Sequence, residues 1–151
     1  MNNQMMIMLV DDEERFLATT SKLLERMGYC VLTAAGGVQA LELLSSNPVD
    51  VVVLDVKMPG MDGIDALREI KRRFPMVEVI MLTGHATVES AIDGMQSGAF
   101  DYLIKPTDIA ELILKAEAAL QRRRNLEGKI RVARMRHTLD AAADNAESNK
   151  A

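Results

Sequence analysis

Five short apolar runs, separated by longer segments of helical period, constrain this chain more than any other feature of its sequence. Met5 to Val10, Val31 to Ala34, Val49 to Leu54, Val77 to Leu82 and Tyr102 to Ile104 read as strands. Several are apolar at consecutive positions and not at every second one, as a parallel sheet covered on both faces requires. Helices are therefore expected between them. The first, from about Glu13 to Met27, sets Phe16, Thr20, Leu23, Leu24 and Met27 on one stripe and stops at Gly28. Gly36-Gly37 opens a second with Val38, Leu41 and Leu44 inward, and Asn47-Pro48 ends it, because a proline disfavours helix in the residue before it. A third runs from about Ile64 to Phe74 and a fourth from about Thr87 to Gln96. The fifth starts at Asp108, with Glu111 at the spacing of a capping box.

Alternating strands and helices joined by right-handed crossovers give an α/β fold, a doubly wound five-stranded parallel sheet with helices on both faces. Its binding crevice lies outside the carboxyl ends of the strands. With 48% hydrophobic and 26% charged residues, the 151-residue chain supports one globular core and is too short for two full domains. The expected division is a domain over residues 1–121 and a basic helical extension over 122–151 with a frayed, alanine-rich end. A net charge of −4 gives no reason to expect nucleic-acid binding from the chain as a whole. The single cysteine, Cys30, reads as a small buried hydrophobe compatible with a reducing compartment, so the cytoplasm is expected. No stretch approaches the ~18 apolar residues of a membrane span.

Three carboxylates fall where this fold places a site: Asp11 and Asp12 after the first strand, Asp55 after the third. Crowding them is unfavourable unless a hard divalent cation sits among them. These residues do not by themselves choose magnesium over calcium, and Asp11-Asp12 taken alone reads rather as the cap and solvated first turn of the first helix, since capping acids are common and metal sites are not. Thr83 at the end of the fourth strand and Lys105 at the end of the fifth add a hydroxyl donor and an ammonium on the far side of the crevice. Metal, hydroxyl and lysine around one carboxylate suit an anionic group bound to that carboxylate. The methionines form no single stripe and read as core filling. His85 reads as a solvent-exposed loop residue near the crevice mouth, and the turn Pro59-Gly60 with Asp62-Gly63 as structural.

The pair Asp11-Asp12, the stretch Leu54-Asp55-Val56-Lys57-Met58-Pro59-Gly60-Met61-Asp62-Gly63, the strand end Met81-Leu82-Thr83-Gly84 and the run from Gly98 to Pro106 resemble the response-regulator receiver family, over residues 5 to 121. The resemblance implies the flavodoxin-like strand order 2-1-3-4-5. It implies that Asp55 takes a phosphoryl group from a sensor histidine kinase or phosphotransfer protein, with Mg2+ as cofactor. Asp12 would bind the metal directly, Asp11 mainly through water, and Lys57 through its backbone carbonyl. Thr83 and Lys105 would each bind a phosphoryl oxygen, Pro106 would follow a cis peptide, and Tyr102 would turn inward as the threonine moves. Only self-catalysed phosphorylation and dephosphorylation of Asp55 are expected, not turnover of an external substrate. The loops around Thr83 and Phe100 are similar to receivers that precede ATPase activators of transcription. The 31 residues after Leu120 are too few for an ATPase or a helix-turn-helix, so the alternatives are a stand-alone receiver and a receiver fragment of such an activator.

Other readings meet specific obstacles. A haloacid-dehalogenase phosphatase needs an acid two residues after its nucleophile, and Lys57 stands there. A flavodoxin-like carrier must cradle a phosphate in its first loop, which Asp11-Asp12 would repel. No G-x-x-x-x-G-K-[ST] or G-x-G-x-x-G occurs. In the tail, heptads counted from Ile109 place Ile109, Leu112, Ala116, Ala119, Arg123, Leu126, Ile130, Ala133 and His137 at a and d, which favours a homodimer. Residues 121–137 also hold seven Lys or Arg and one Glu, the composition of a non-specific phosphate binder. Interleaved apolar residues need burial while solvated arginines need no partner, so pairing is preferred and direct DNA binding is not expected.

Overall fold

The computed structural model describes residues 4–148, apart from Pro59, His85 and Ala86. The expectations for His85 and for Pro59 therefore lie outside the described residues. Strands β1 (Met6–Val10), β2 (Cys30–Ala34), β3 (Val51–Leu54), β4 (Glu78–Thr83) and β5 (Asp101–Ile104) alternate with helices α1 (Glu14–Arg26), α2 (Gly37–Leu44), α3 (Gly63–Arg73), α4 (Val88–Gln96) and α5 (Ile109–Ser148). The sheet is parallel throughout, in the order β2-β1-β3-β4-β5.

Alternate residues of the central strands serve two cores. Met8, Val10, Val52, Leu54, Val79 and Met81 pack with Leu41 and Leu44 of α2 and Ile64, Leu67 and Ile70 of α3. Ile7, Leu9, Val51, Val53, Ile80 and Leu82 pack with Leu24 of α1 and with Leu112, Ala116, Ala119 and Leu120 of α5. Both faces of β1, β3 and β4 are thus dry, which is why their sequences are apolar without alternation.

The helical stripes need correction. In α1 Thr20 and Leu24 are buried, but Leu23 is 40% and Met27 53% exposed. Leu17, not assigned to the stripe, packs on the core beside Phe16. In α2 Val38 is 60% exposed and Ala40 takes its inward place. Met27 is the C-cap of α1, past its last helical residue, whereas Leu23 and Val38 lie within their helices on the side away from the sheet. Cys30 is half-buried, its thiol donating to Gln4 Oε1 at 3.1 Å, so it is not the buried hydrophobe expected. Met5, Met8, Met58 and Met81 fill the core, whereas Met95 is exposed. The capping box falls on α4, where Thr87 and Ser90 exchange side-chain and backbone bonds. At the start of α5, Glu111 accepts from the Thr107 hydroxyl at 3.0 Å.

The chain divides after Leu120 into two compact units. In the first, Leu112, Ala116 and Ala119 are buried in the sheet's own core, so these seam positions are already occupied within the domain. In the second, residues 121–148 are helical, Leu126, Val132, Met135 and Leu139 are exposed, and Gln121 donates to Asn125 at 3.0 Å. No helix among the described residues is long and apolar enough to cross a membrane.

Candidate functional site

Strand register assembles the site. Val10 is level with Leu54 on β3, and Leu54 with Met81 on β4. Beyond the last paired residues the ladder continues by one bond on each side: Asp11 N donates to Ala34 O at 3.1 Å and Asp55 N to Val10 O at 3.0 Å. Asp11 and Asp55 therefore leave adjacent strands at the same height. At the other edge Thr83 pairs with Ile104, and Lys105 N donates to Thr83 O at 2.9 Å. The Lys105–Pro106 peptide is cis.

Asp11, Asp55 and Thr83 are buried, while Asp12 is exposed. Asp11, Asp12 and Asp55 each offer a carboxylate oxygen within 4.8 Å of the others, and these three could hold a metal ion. Asp55 Oδ1 is buried and accepts no hydrogen bond among the described residues. Such an atom carries the full cost of desolvation unless a cation or donor reaches it. Two buried acids and one exposed acid make a centre closed on the protein side and open to solvent on the other. That donor set fits a hard divalent cation that retains several waters.

Burial is the main influence on Asp55 and pushes its carboxyl above the ordinary range. A hydrogen bond from Thr83 opposes it, the Asp11 charge reinforces it, and Lys105 and the Val56 amide oppose it more weakly. For Lys105 burial disfavours the ammonium. Hydrogen bonding and charge from Asp11, then Glu13 and Asp55, more than offset that, so it holds its proton above the usual lysine range. Its Nζ donates to Asp11 Oδ2 at 2.5 Å and Glu13 Oε1 at 3.2 Å, and lies 4.1 Å from the centre of the Phe16 ring. Asp11 Oδ1 accepts from the Glu13 amide at 2.9 Å, so the acidic pair also shapes the entry into α1.

Lys57 is exposed and lines, with Asp12, Val56, Met58, Asp62 and Ser90, an open cavity of about 760 Å³ beside the acids. Gly63 brings α3 against the loop after Asp55. A Cβ there would meet the Asp55 carbonyl oxygen and stand 2.6 Å from Val56 Cα, and Gly63 N donates to Val56 O at 2.7 Å. Glycine is required here by close approach, since of the nearby glycines it is Gly60 that has positive φ. Tyr102 is half-buried with its hydroxyl 2.9 Å from Ser90 Oγ, which ties β5 to the cap of α4. Sequence reasoning missed Glu13, Phe16 as a lysine contact, and Ser90. Only the position of Glu13 directly after the acidic pair could have signalled the first.

The fold and this group of strand-end side chains define a doubly wound α/β protein with three clustered carboxylates that could hold a metal ion, Thr83 and Lys105 standing at the neighbouring strand ends. The chain belongs to the response regulator receiver domain family, whose model matches residues 7–117. It is 40% identical over 114 residues to the DNA-binding transcriptional regulator NtrC of Escherichia coli K12, covering 76% of this chain and 24% of that protein. A putative NtrX-like response regulator of Rickettsia bellii is 35% identical over 132 residues, covering 83% of this chain and 28% of its own length. The chain thus spans about a quarter of these relatives. Among solved structures, a receiver domain protein from Clostridium thermocellum superposes with a TM-score of 0.77 at 40% identity, covering 81% of this chain and 98% of that one. NtrX from Brucella abortus in complex with ADP gives 0.77 at 32% identity, covering 84% and 29%.

Proposed function

We propose that this chain is a phosphoacceptor switch that takes a phosphoryl group onto Asp55 from a phosphohistidine on a sensor kinase or phosphotransfer protein. The observation that carries this reading is the buried, unpartnered Asp55 Oδ1, flanked by Asp11 and Asp12 on one side and by Thr83 and Lys105 on the other. As the bond from the Asp55 carboxylate to phosphorus forms, the phosphorus–nitrogen bond breaks, and the imidazole keeps the electron pair and takes up a proton. The loose transition state of phosphoryl transfer asks for alignment and neutralised charge more than for a strong nucleophile. Thr83 donates a hydrogen bond and Lys105 supplies a positive charge to the transferred oxygens.

Asp12, Asp55 and the Lys57 carbonyl would hold Mg2+ directly, with Asp11 acting through water. In support, both Asp11 oxygens already accept, Oδ1 from the Glu13 amide and Oδ2 from Lys105. Bound there, magnesium offsets the negative charge that gathers where phosphate meets carboxylate. Phosphorylation then shifts a two-state balance involving Thr83, Tyr102 and α4, and so controls an output. Transcriptional control is the output favoured by 40% identity to NtrC. Incubation with acetyl phosphate and magnesium, followed by intact mass, tests the assignment. The wild type gains one phosphoryl group; Asp55→Asn labelled at the native rate would refute it.

A further inference from the structure

Lys105 is held more firmly than neutralising Asp11 requires. Its ammonium reaches two carboxylates, Asp11 Oδ2 at 2.5 Å and Glu13 Oε1 at 3.2 Å, and rests on the face of Phe16. Glu13 is the N-cap of α1 and Phe16 lies in its first turn. The Glu13 amide is fixed by Asp11 Oδ1 while its carboxylate closes on the lysine that Asp11 also binds. One loop thus holds the ammonium from two directions, and the aromatic face supplies a third contact.

We propose that Glu13 and Phe16 are positioning residues that clamp Lys105 in a resting place over Asp11, so that the lysine serves a phosphoryl oxygen on Asp55 only by leaving them. This rests on the reading of Asp55 and Lys105 given above. An ammonium has three donors, and two are already used. A dianionic phosphoryl group competes with the Glu13 carboxylate for the same cation. Because Glu13 is 64% exposed, its hold is screened and outcompeted, so the clamp tunes the site without blocking it. Apparent affinity for the phosphoryl group is the intrinsic affinity multiplied by the fraction of protein whose lysine is already free.

The test uses the full chain with magnesium in excess. Phosphorylation by acetyl phosphate at subsaturating concentration and beryllofluoride affinity by calorimetry are measured for wild type, Glu13→Gln, Phe16→Leu, Glu14→Gln and Lys105→Ala. Glu13→Gln is expected to raise both about two- to fivefold, with Phe16→Leu in the same direction. Glu14→Gln removes the same charge one residue on and should give a smaller gain. In a Lys105→Ala background the Glu13→Gln gain should vanish, an outcome that a merely structural role for Glu13 would not produce. Equal gains in Glu13→Gln and Glu14→Gln, or a gain that persists without Lys105, would overturn the clamp. If Lys105→Ala alone leaves labelling unchanged, the underlying reading of Lys105 fails instead.

Discussion

Replacing Asp55 by asparagine should stabilise the metal-free protein near neutral pH. Its carboxyl is pushed above the ordinary range by burial, so the folded state favours the protonated form. A carboxyl raised in this way supports folding below the unfolded-state value, and that support is lost as pH rises through the folded value. Once that support is gone, the buried and partly unsatisfied group is a net cost. Leaving a buried acceptor unpaired costs about 1–3 kcal/mol, and Oδ1 is such an atom. Asparagine removes the charge and its repulsion with Asp11 but keeps a buried polar oxygen. A gain of about 1 kcal/mol is expected, or roughly 2–4 °C in Tm for a chain of this size. Thermal melts followed by circular dichroism in chelator and in magnesium check this. Magnesium at a hundred times its Kd adds about 2.7 kcal/mol to whichever protein binds it. The wild type should then overtake the variant. Lowering the pH toward the ordinary carboxylate range should close the metal-free gap. A metal-free variant less stable than wild type at pH 7, or a gap independent of pH, would refute the reasoning.

Asp12→Ala should abolish most of the magnesium-induced rise in Tm, and Asp11→Ala should reduce it less, in the same melts. Gly63→Ala forces backbone apart beside Asp55, so urea unfolding should show a loss of about 1–3 kcal/mol together with slower labelling by acetyl phosphate. Amide shifts on adding beryllofluoride should move through α4, β5 and the first turns of α5 in wild type and much less in Thr83→Ala; equal movement would reject the coupling. Sedimentation should show a dimer for the full chain and a monomer for Leu126→Lys, whereas a monomeric wild type with steep salt-dependent DNA binding would assign the basic tail to nucleic acid instead.

The strands and their chemistry were legible in the sequence because a sheet dry on both faces leaves unbroken apolar runs, and the residue after each run stands at the crevice. Asp11, Asp55, Thr83 and Lys105 each directly follow such a run. Helix faces were less legible: Leu23, Met27 and Val38 have the right period yet face solvent. Periodicity describes a helix by itself and does not say how far along it the neighbouring sheet extends. The heptad through Leu112, Ala116 and Ala119 is real, but the sheet claims those residues before any second copy can.

What the sequence determined by itself is which chemistry reaches the strand ends, since that needs only local pattern and chain order. How those groups meet depends on packing between elements. Register sets Asp11 and Asp55 level on adjacent strands, Gly63 lets α3 rest on the Asp55 backbone, and Ser90 finds Tyr102. Packing also turned Lys105 toward Asp11, Glu13 and Phe16, about ninety residues away in the chain. Such contacts carry no periodic signal, because they depend on the distance between elements after packing and not on the spacing of residues within one.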